Sequence, residues 1–264
     1  MSFILNKFIV PENGEKITSI VISDFKSLSS LKNIEECLIA CPNVNRLEIS
    51  LYDFQIQKEE LKLSMGEIIS IIANFGKNIE YLHLQSPLII DNDLIYVSND
   101  NFPKLIKLAI PHSKKVKAKG IKYVSSQSPK LISLNLNYSL YNETDEAAFY
   151  IGKYLKKLKR LYMHRTCNLS DSGLISIAEG CRNLEIIEVG RNYDLTDEAL
   201  EKISKNCIEL TSLGMYYNKK ITEKGLKYIV KGCPKFKKFS DGNGGGAIPA
   251  LKEIKSKYPN INFS

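Results

Sequence analysis

Cys181, Cys207 and Cys233 stand 26 residues apart, and thiols at a fixed spacing raise two chemical options, metal ligation and disulfide bonding. Zinc sites are built from close pairs such as C-x-x-C, or from Cys and His that converge within one unit. Here each cysteine stands alone at the same place in three successive segments, which argues against a metal. Stacked one strand apart, their Cα atoms would fall near the disulfide range, so spacing by itself leaves that option open. Six cysteines in 264 residues are too few for a disulfide framework. The expected role is a buried thiol acting as a small apolar spacer, and Cys37 and Cys41, four apart, read as helix-end core.

Two other groups could carry chemistry. In DGNGGGAIPALKEI, Gly242, Gly244 and Ala247 satisfy G-x-G-x-x-A after the strand-like KFKKFS. That dinucleotide motif needs an acidic residue about 20 positions on, and neither it nor a G-K-[ST] sequence follows; a loop is expected, and no cofactor. His83, His112 and His164 fall on or beside one sheet face but are offset along three different strands, so contact with a partner fits them better than shared ligation. No serine–histidine–acid set and no paired-carboxylate cleft is visible. The chain reads as a non-enzyme without a small-molecule substrate.

What positions these residues is a repeat. LEIIEV (184–189) aligns with LTSLGM (210–215), LKRLYM (158–163), LISLNL (131–136), LIKLAI (105–110), IEYLHL (79–84), VNRLEI (44–49) and ITSIVI (17–22), all apolar-x-x-apolar-x-apolar. The residues three before each first apolar position are 14, 41, 76, 102, 128, 155, 181 and 207, with Cys233 next, so most steps are 26 or 27 and one is 35. Repeats at such a period mean one stacked architecture. YPNINF closes the chain as a partial unit.

Each unit alternates two periods. The first apolar segment has period two and predicts a short strand, whereas SGLISIAEGC, DEALEKISKNC and EKGLKYIVKGC place apolar residues at i, i+3 and i+4 and predict helices. Ser170, Thr196 and Thr222 are set as helix N-caps with carboxylates in the first turn. Gly180 and Gly232 suit left-handed helix stops.

The pattern C-x-x-L-x-x-L-x-L, an Asn or Cys near the strand end, and then L-T-D-x-A-L-x-x-I resembles the cysteine-containing leucine-rich repeats of F-box/LRR substrate receptors. Residues 155–233 match best. In earlier units the cysteine reads Gly76, Phe102, Ser128 and Leu155, and the Asn/Cys place reads Pro87, Ser113, Ser139 and Thr166. The resemblance implies an α/β fold, a right-handed leucine-rich-repeat solenoid of about 9–10 repeats, with parallel strands about 4.8 Å apart on the concave face and helices on the convex one. Residues 1–13 would cap the N-terminus, 14–264 would form the solenoid with an insertion near 50–64, and about 241–264 would close it. About 13 residues precede the repeats, without the L-P-x-E of an F-box.

The function implied is binding of another protein on the concave face, recognising and by occlusion inhibiting it. Two alternatives stand beside this: a substrate-recognition or regulatory subunit in a ubiquitin-ligase pathway, and a eukaryote-like effector of an intracellular bacterium. The candidate contact residues are Tyr81, His83, Tyr138, Arg160, Tyr162, His164, Arg165, Glu188, Arg191, Tyr216 and Tyr217, rich in the Tyr and Arg that dominate binding hot spots.

Composition narrows the partner. The net charge is +8, yet 32 of the basic residues are Lys and only 5 are Arg, and nucleic-acid readers lean on Arg; that role ranks last. From Lys219 to Lys257, 11 lysines face 3 acids, which reads as a solvated convex face. MSFILNKFIV lacks the basic start, apolar core and cleavage site of an export signal, and no run approaches the ~18 apolar residues of a membrane span. The expectation is a soluble, monomeric, cytoplasmic protein, in the producing cell or in a host.

Overall fold

A computed structural model describes residues 2–5, 16–22, 31–50, 64–240, 254 and 256–263. The insertion near 50–64, the glycine-rich stretch and most of both proposed caps lie outside these described residues.

Among the described residues, eleven strands form one parallel sheet in strict chain order. They are β1 (Ser2–Leu5), β2 (Ser19–Ile22), β3 (Arg46–Ser50), β4 (Tyr81–Gln85), β5 (Lys107–Ala109), β6 (Ser133–Asn135), β7 (Arg160–Tyr162), β8 (Ile186–Glu188), β9 (Ser212–Gly214), β10 (Lys238–Ser240) and β11 (Asn262–Phe263). The second residue of each strand from β3 to β10 is apolar and in register with the next: Leu47, Leu82, Leu108, Leu134, Leu161, Ile187, Leu213 and Phe239. All are 0–1 % exposed, so every turn of the solenoid adds one side chain to a continuous core and none can bury it without its neighbours. β1 lies inside the stretch expected to be a cap, and SFIL carries no copy of the repeat motif.

The helices are α1 (Leu31–Ala40), α2 (Met65–Asn74), α3 (Ala118–Gln127), α4 (Thr144–Tyr154), α5 (Asp171–Gly180), α6 (Asp197–Asn206) and α7 (Glu223–Gly232). One unit departs from the pattern, a 3₁₀ helix over Asp91–Tyr96 standing where an α-helix was expected. Ser170, Thr196 and Thr222 cap α5, α6 and α7, each oxygen accepting a backbone N–H two residues on. The first-turn carboxylates reach farther than a dipole argument requires. Asp145, Asp171 and Asp197 each accept the backbone N–H of the following unit's cap residue, Ser170, Thr196 and Thr222, at 2.8 Å. These charge-assisted bonds fix the stacking of one repeat on the next.

Gly180 and Gly232 correct the sequence expectation. Both are the last helical residue, the turn after them is made by Cys181 and Cys233 with φ of −109° and −114°, and neither glycine adopts a left-handed conformation. A Cβ on Gly180 would overlap the Gly152 carbonyl, and one on Gly232 would lie 2.6 Å from the Ser204 carbonyl oxygen. They are glycines because adjacent helices touch there.

The thiol column is buried and free. The Sγ atoms of Cys181 and Cys233 donate to the Leu155 and Cys207 carbonyls of the preceding unit at 3.4 and 3.5 Å. Burial pushes the Cys181 and Cys207 thiols up to about 12 and Cys233 up to about 11. At the strand ends a second column carries buried polar residues: Ser86, Ser113, Ser139, Thr166, Asn192 and Asn218, each 3 % exposed or less. Ser86 therefore takes the place assigned to Pro87, which is exposed.

Candidate functional site

The core strand positions alternate with residues that face outward, and the residue three past the end of each strand from β5 to β9 completes a second outer column. His112, Tyr138, Arg165, Arg191 and Tyr217 occupy that place in five successive units, and all have φ between 55° and 63°. Left-handed backbone is unfavourable for such side chains. Here it is held from outside: the backbone N–H groups of His112, Tyr138, Arg165 and Arg191 donate to the Asn137, His164, Gly190 and Tyr216 carbonyls of the next unit at 2.9, 2.8, 2.9 and 2.5 Å. The repeat's own ladder thus imposes the conformation, and it lines up one large side chain per turn.

Those side chains touch. His112 stacks on Tyr138 with centroids 4.5 Å apart and an angle of 9°, and the Arg165 guanidinium lies over Tyr138 at 5.1 Å. Farther along, the Arg191 guanidinium lies over Tyr217 at 4.5 Å. His164 meets Tyr138 edge-on at 5.6 Å and Tyr216 at 5.5 Å. The second of these contacts spans two units, and Gly190 makes it possible, since a Cβ there would lie 2.6 Å from the Tyr216 ring and 2.7 Å from His164 Nδ1. Gly214 does the same for Glu188, whose carboxylate fills the space a Cβ would take.

The β7–β9 corner therefore gathers Tyr138, His164, Arg165, Glu188, Arg191, Tyr216 and Tyr217, with Arg160 and Tyr162 on β7 beside them. Glu188 bonds the Tyr216 hydroxyl, which also bonds Ser240. Burial holds the Glu188 carboxyl above the ordinary carboxylate range, against the Tyr216 bond and Lys238. Burial also depresses His164, helped by the Arg165 and Arg191 cations. Two polar atoms in this corner, His164 Nδ1 and Arg191 Nε, are buried without a hydrogen-bond partner.

Tyr81 and His83, predicted for the same surface, lie apart from it on β4. Arg46 sits over the Tyr81 ring at 4.0 Å and pairs with Glu48 at 2.6 Å, while His83 bonds the Tyr81 hydroxyl at 3.2 Å and Gln85 at 3.4 Å. Three contributors stand outside the candidate contact residues although the repeat places them on the same face: Arg46 in this β3–β4 corner, and Gly190 and Gly214 in the other. The available signal was two glycines in adjacent units, Gly190 where the units on either side carry His164 and Tyr216, and Gly214 where the preceding unit carries Glu188.

Among the described residues no three His, Cys, Asp or Glu side chains converge as a metal set would. An open cleft of about 450 Å³ lies on the helical side, lined by Ser64, Glu67, Asn92, Asp93, Ile95 and Tyr96 among others. Its one buried carboxylate, Asp93, already accepts the backbone N–H groups of Ile90 and Gly66. No described helix is long and apolar enough to cross a membrane. What the β7–β9 corner can do is present aromatic surface and charged donors in a fixed geometry.

No family model and no curated protein matches the chain. Solved structures do. The leucine-rich repeat-containing protein LegL7 from Legionella pneumophila is 15 % identical, with 99 % of each chain covered and a TM-score of 0.52. A chain of the Rad7 and Elc1 complex in yeast is 14 % identical, over 94 % of this chain and 73 % of that one, with a TM-score of 0.50. At such identities the likeness is one of fold, and with the parallel sheet in strict order it makes this chain a leucine-rich-repeat solenoid.

Proposed function

We propose that the protein is a non-enzymatic binding scaffold that recognises a partner protein through the outward face of the sheet, centred on β7–β9, and blocks whatever surface of the partner it covers. One observation carries this reading. The scaffold beneath repeats with little change, yet the corner above it concentrates Tyr, Arg and His side chains held by the backbone ladder, with two buried nitrogens left unmatched. Rigid aromatic and guanidinium groups in fixed positions are what binding hot spots use, and unmatched buried polar atoms are uncommon unless something completes them.

The test is affinity purification with mass spectrometry, comparing wild type with Tyr162→Ala/Arg191→Ala/Tyr216→Ala. A partner captured by the wild type and lost by the variant, with a melting curve that stays cooperative, is the expected result; equal capture by both rejects the site. In the same scheme the chain acts alone as one domain, capped by 1–13 and 241–264, in the cytoplasm of its own cell or of a host.

A second reading is a subunit of a ubiquitin-ligase pathway. It is favoured by the cysteine-type repeat over 155–233 and by the fold likeness to a chain solved as the Rad7 and Elc1 complex. Co-purification with an Skp1-type adaptor tests it. The likeness to LegL7 of Legionella pneumophila equally accommodates a bacterial effector, for which the captured partner would be a host protein.

A further inference from the structure

We propose that the β7–β9 corner is built for a carboxylate-rich protein segment, with Arg165 and Arg191 as its two clamps; this rests on the scaffold reading above and names the chemistry of the partner. Along β5–β10 and the residues following each strand, the outward positions carry five cations, Lys107, Arg160, Arg165, Arg191 and Lys238, and one acid, Glu188. Glu188 is taken up by Tyr216. No carboxylate among the described residues forms an ion pair with any of the five, although six such pairs form elsewhere on the molecule. Along this face cations outnumber acids five to one, and among the described residues none of the five is held in an ion pair by the chain itself.

The two arginines are also preorganised. Each sits over a tyrosine ring, at 5.1 and 4.5 Å, on a backbone locked by a bond to the next unit. A guanidinium held in this way has lost side-chain entropy before the ligand arrives, and its planar fork matches a carboxylate bidentately. Arg191 Nε, buried without an acceptor, marks hydrogen-bonding capacity that the chain itself does not use. Parallel strands lie about 4.8 Å apart, so the clamps, in adjacent units, can grip neighbouring carboxylates of one segment.

Nucleic acid fits less well. Single-stranded binders stack bases on free aromatic faces, whereas Tyr138 is already stacked by His112 and overlain by Arg165, and Tyr217 is overlain by Arg191. Of the two arginines, Arg165 is exposed and Arg191 half-buried.

The test uses fluorescein-labelled poly-L-glutamate of about 50 residues, read by anisotropy at near-physiological salt, where diffuse attraction between exposed charges is screened within about 8 Å. Arg165→Lys/Arg191→Lys keeps every charge and loses the fork and the stacking; it is expected to bind about tenfold more weakly, a factor worth about 1.4 kcal/mol. Lys224→Gln/Lys231→Gln, on the convex helix α7, removes two charges and is expected to change binding less than about twofold. Melting curves confirm that both variants fold.

Wild-type affinity in the arginine variant, or an equal loss in the lysine variant, overturns the proposal. So does tighter, equally arginine-dependent binding of an oligouridylate of matched charge, which would reassign the corner to nucleic acid. If these results are negative while the Tyr162/Arg191/Tyr216 variant still loses its captured protein, the acidic specificity alone fails. If neither set of variants changes binding, the scaffold reading fails with it.

Discussion

Two corners of one sheet, β3–β4 and β7–β9, carry the same residue types and use them differently. At β3–β4 the charges cancel: Arg46 pairs with Glu48 and lies over Tyr81, and His83 spends its ring nitrogens on Tyr81 and Gln85. At β7–β9 two arginines lie over tyrosines without a carboxylate, and His164 Nδ1 and Arg191 Nε have no partner. The parallel sheet is shared, but β3 and β4 run five residues whereas β7–β9 run three and are followed by left-handed positions, so the contrast comes from the backbone past the strands as well as from which positions carry acids and which carry glycine. A tyrosine, arginine or histidine on a repeat surface therefore says little until its own neighbours are known. Our proposal assigns recognition to the corner whose polar capacity is unspent.

Paired variants test that contrast most strongly. Tyr162→Ala/Arg191→Ala/Tyr216→Ala should weaken partner binding by about 100-fold or more, as loss of a hot-spot cluster does. Arg46→Ala/Tyr81→Ala/His83→Ala should cost less than about threefold, because the polar groups of this corner already pair with one another and the exposed Arg46 charge contributes little. Equal losses, measured by titration calorimetry with the captured partner, would spread the site over the whole face and erase the distinction.

The support beneath the corners differs as well. Asn192 is 1 % exposed and donates to the Val189 and Met163 carbonyls at 2.7 and 3.3 Å, whereas Ser86 accepts one local N–H, from Leu88, at 3.1 Å. Asn192→Ala strands buried carbonyls and should destabilise by about 2–3 kcal/mol, against about 1 kcal/mol for Ser86→Ala. Urea unfolding of both measures the difference, and equal midpoints would contradict a more demanding polar ladder under β7–β9.

Gly190→Ala asks whether the room left by glycine matters. Its φ is not left-handed, so the added Cβ acts through space alone, 2.6 Å from the Tyr216 ring and 2.7 Å from His164 Nδ1. Overpacking of this kind costs about 1–2 kcal/mol, and separation of the two rings should appear in the tyrosine near-ultraviolet dichroism. Gln85→Ala, at the matching place on β4, should stay within about 0.5 kcal/mol. Similar small effects at both would mean that the His164–Tyr216 contact is incidental.

These residues also mark how far the sequence could be read. The strands were legible because period-two alternation is local, and Leu47 through Phe239 follow it without exception. Gly180 misled because a glycine at a helix end has two causes, a left-handed turn or a close neighbour, and the neighbour, Gly152, lies 28 positions earlier. The Asp145–Ser170 and Asp171–Thr196 bonds are equally non-local. Tyr138 and Arg191 give no hint of positive φ, since the bonds that impose it come from the following unit. Site residues could be placed on the face from the repeat alone, but which of them touch could not.

The smallest effect is the most specific to β7–β9. Burial, the leading influence, raises the Glu188 carboxyl above 4.5, with the Tyr216 bond and Lys238 opposing it. Because the folded value is the higher one, just above pH 4.5 the folded protein retains a proton that the unfolded chain has released. The contribution is present below that window and is lost as pH rises through the folded value. Glu188→Gln, neutral throughout, should remove that slope from urea midpoints measured between about pH 4.5 and 7, while Glu48→Gln should act by opening the Arg46 pair and leave the slope in place. The same variant bears on the acidic-segment proposal. An ionised Glu188 repels incoming carboxylates, so Glu188→Gln should bind poly-L-glutamate more tightly than wild type at neutral pH. Weaker binding by the variant would mean that Glu188 helps to hold the ligand, which a clamp for carboxylates has no reason to do.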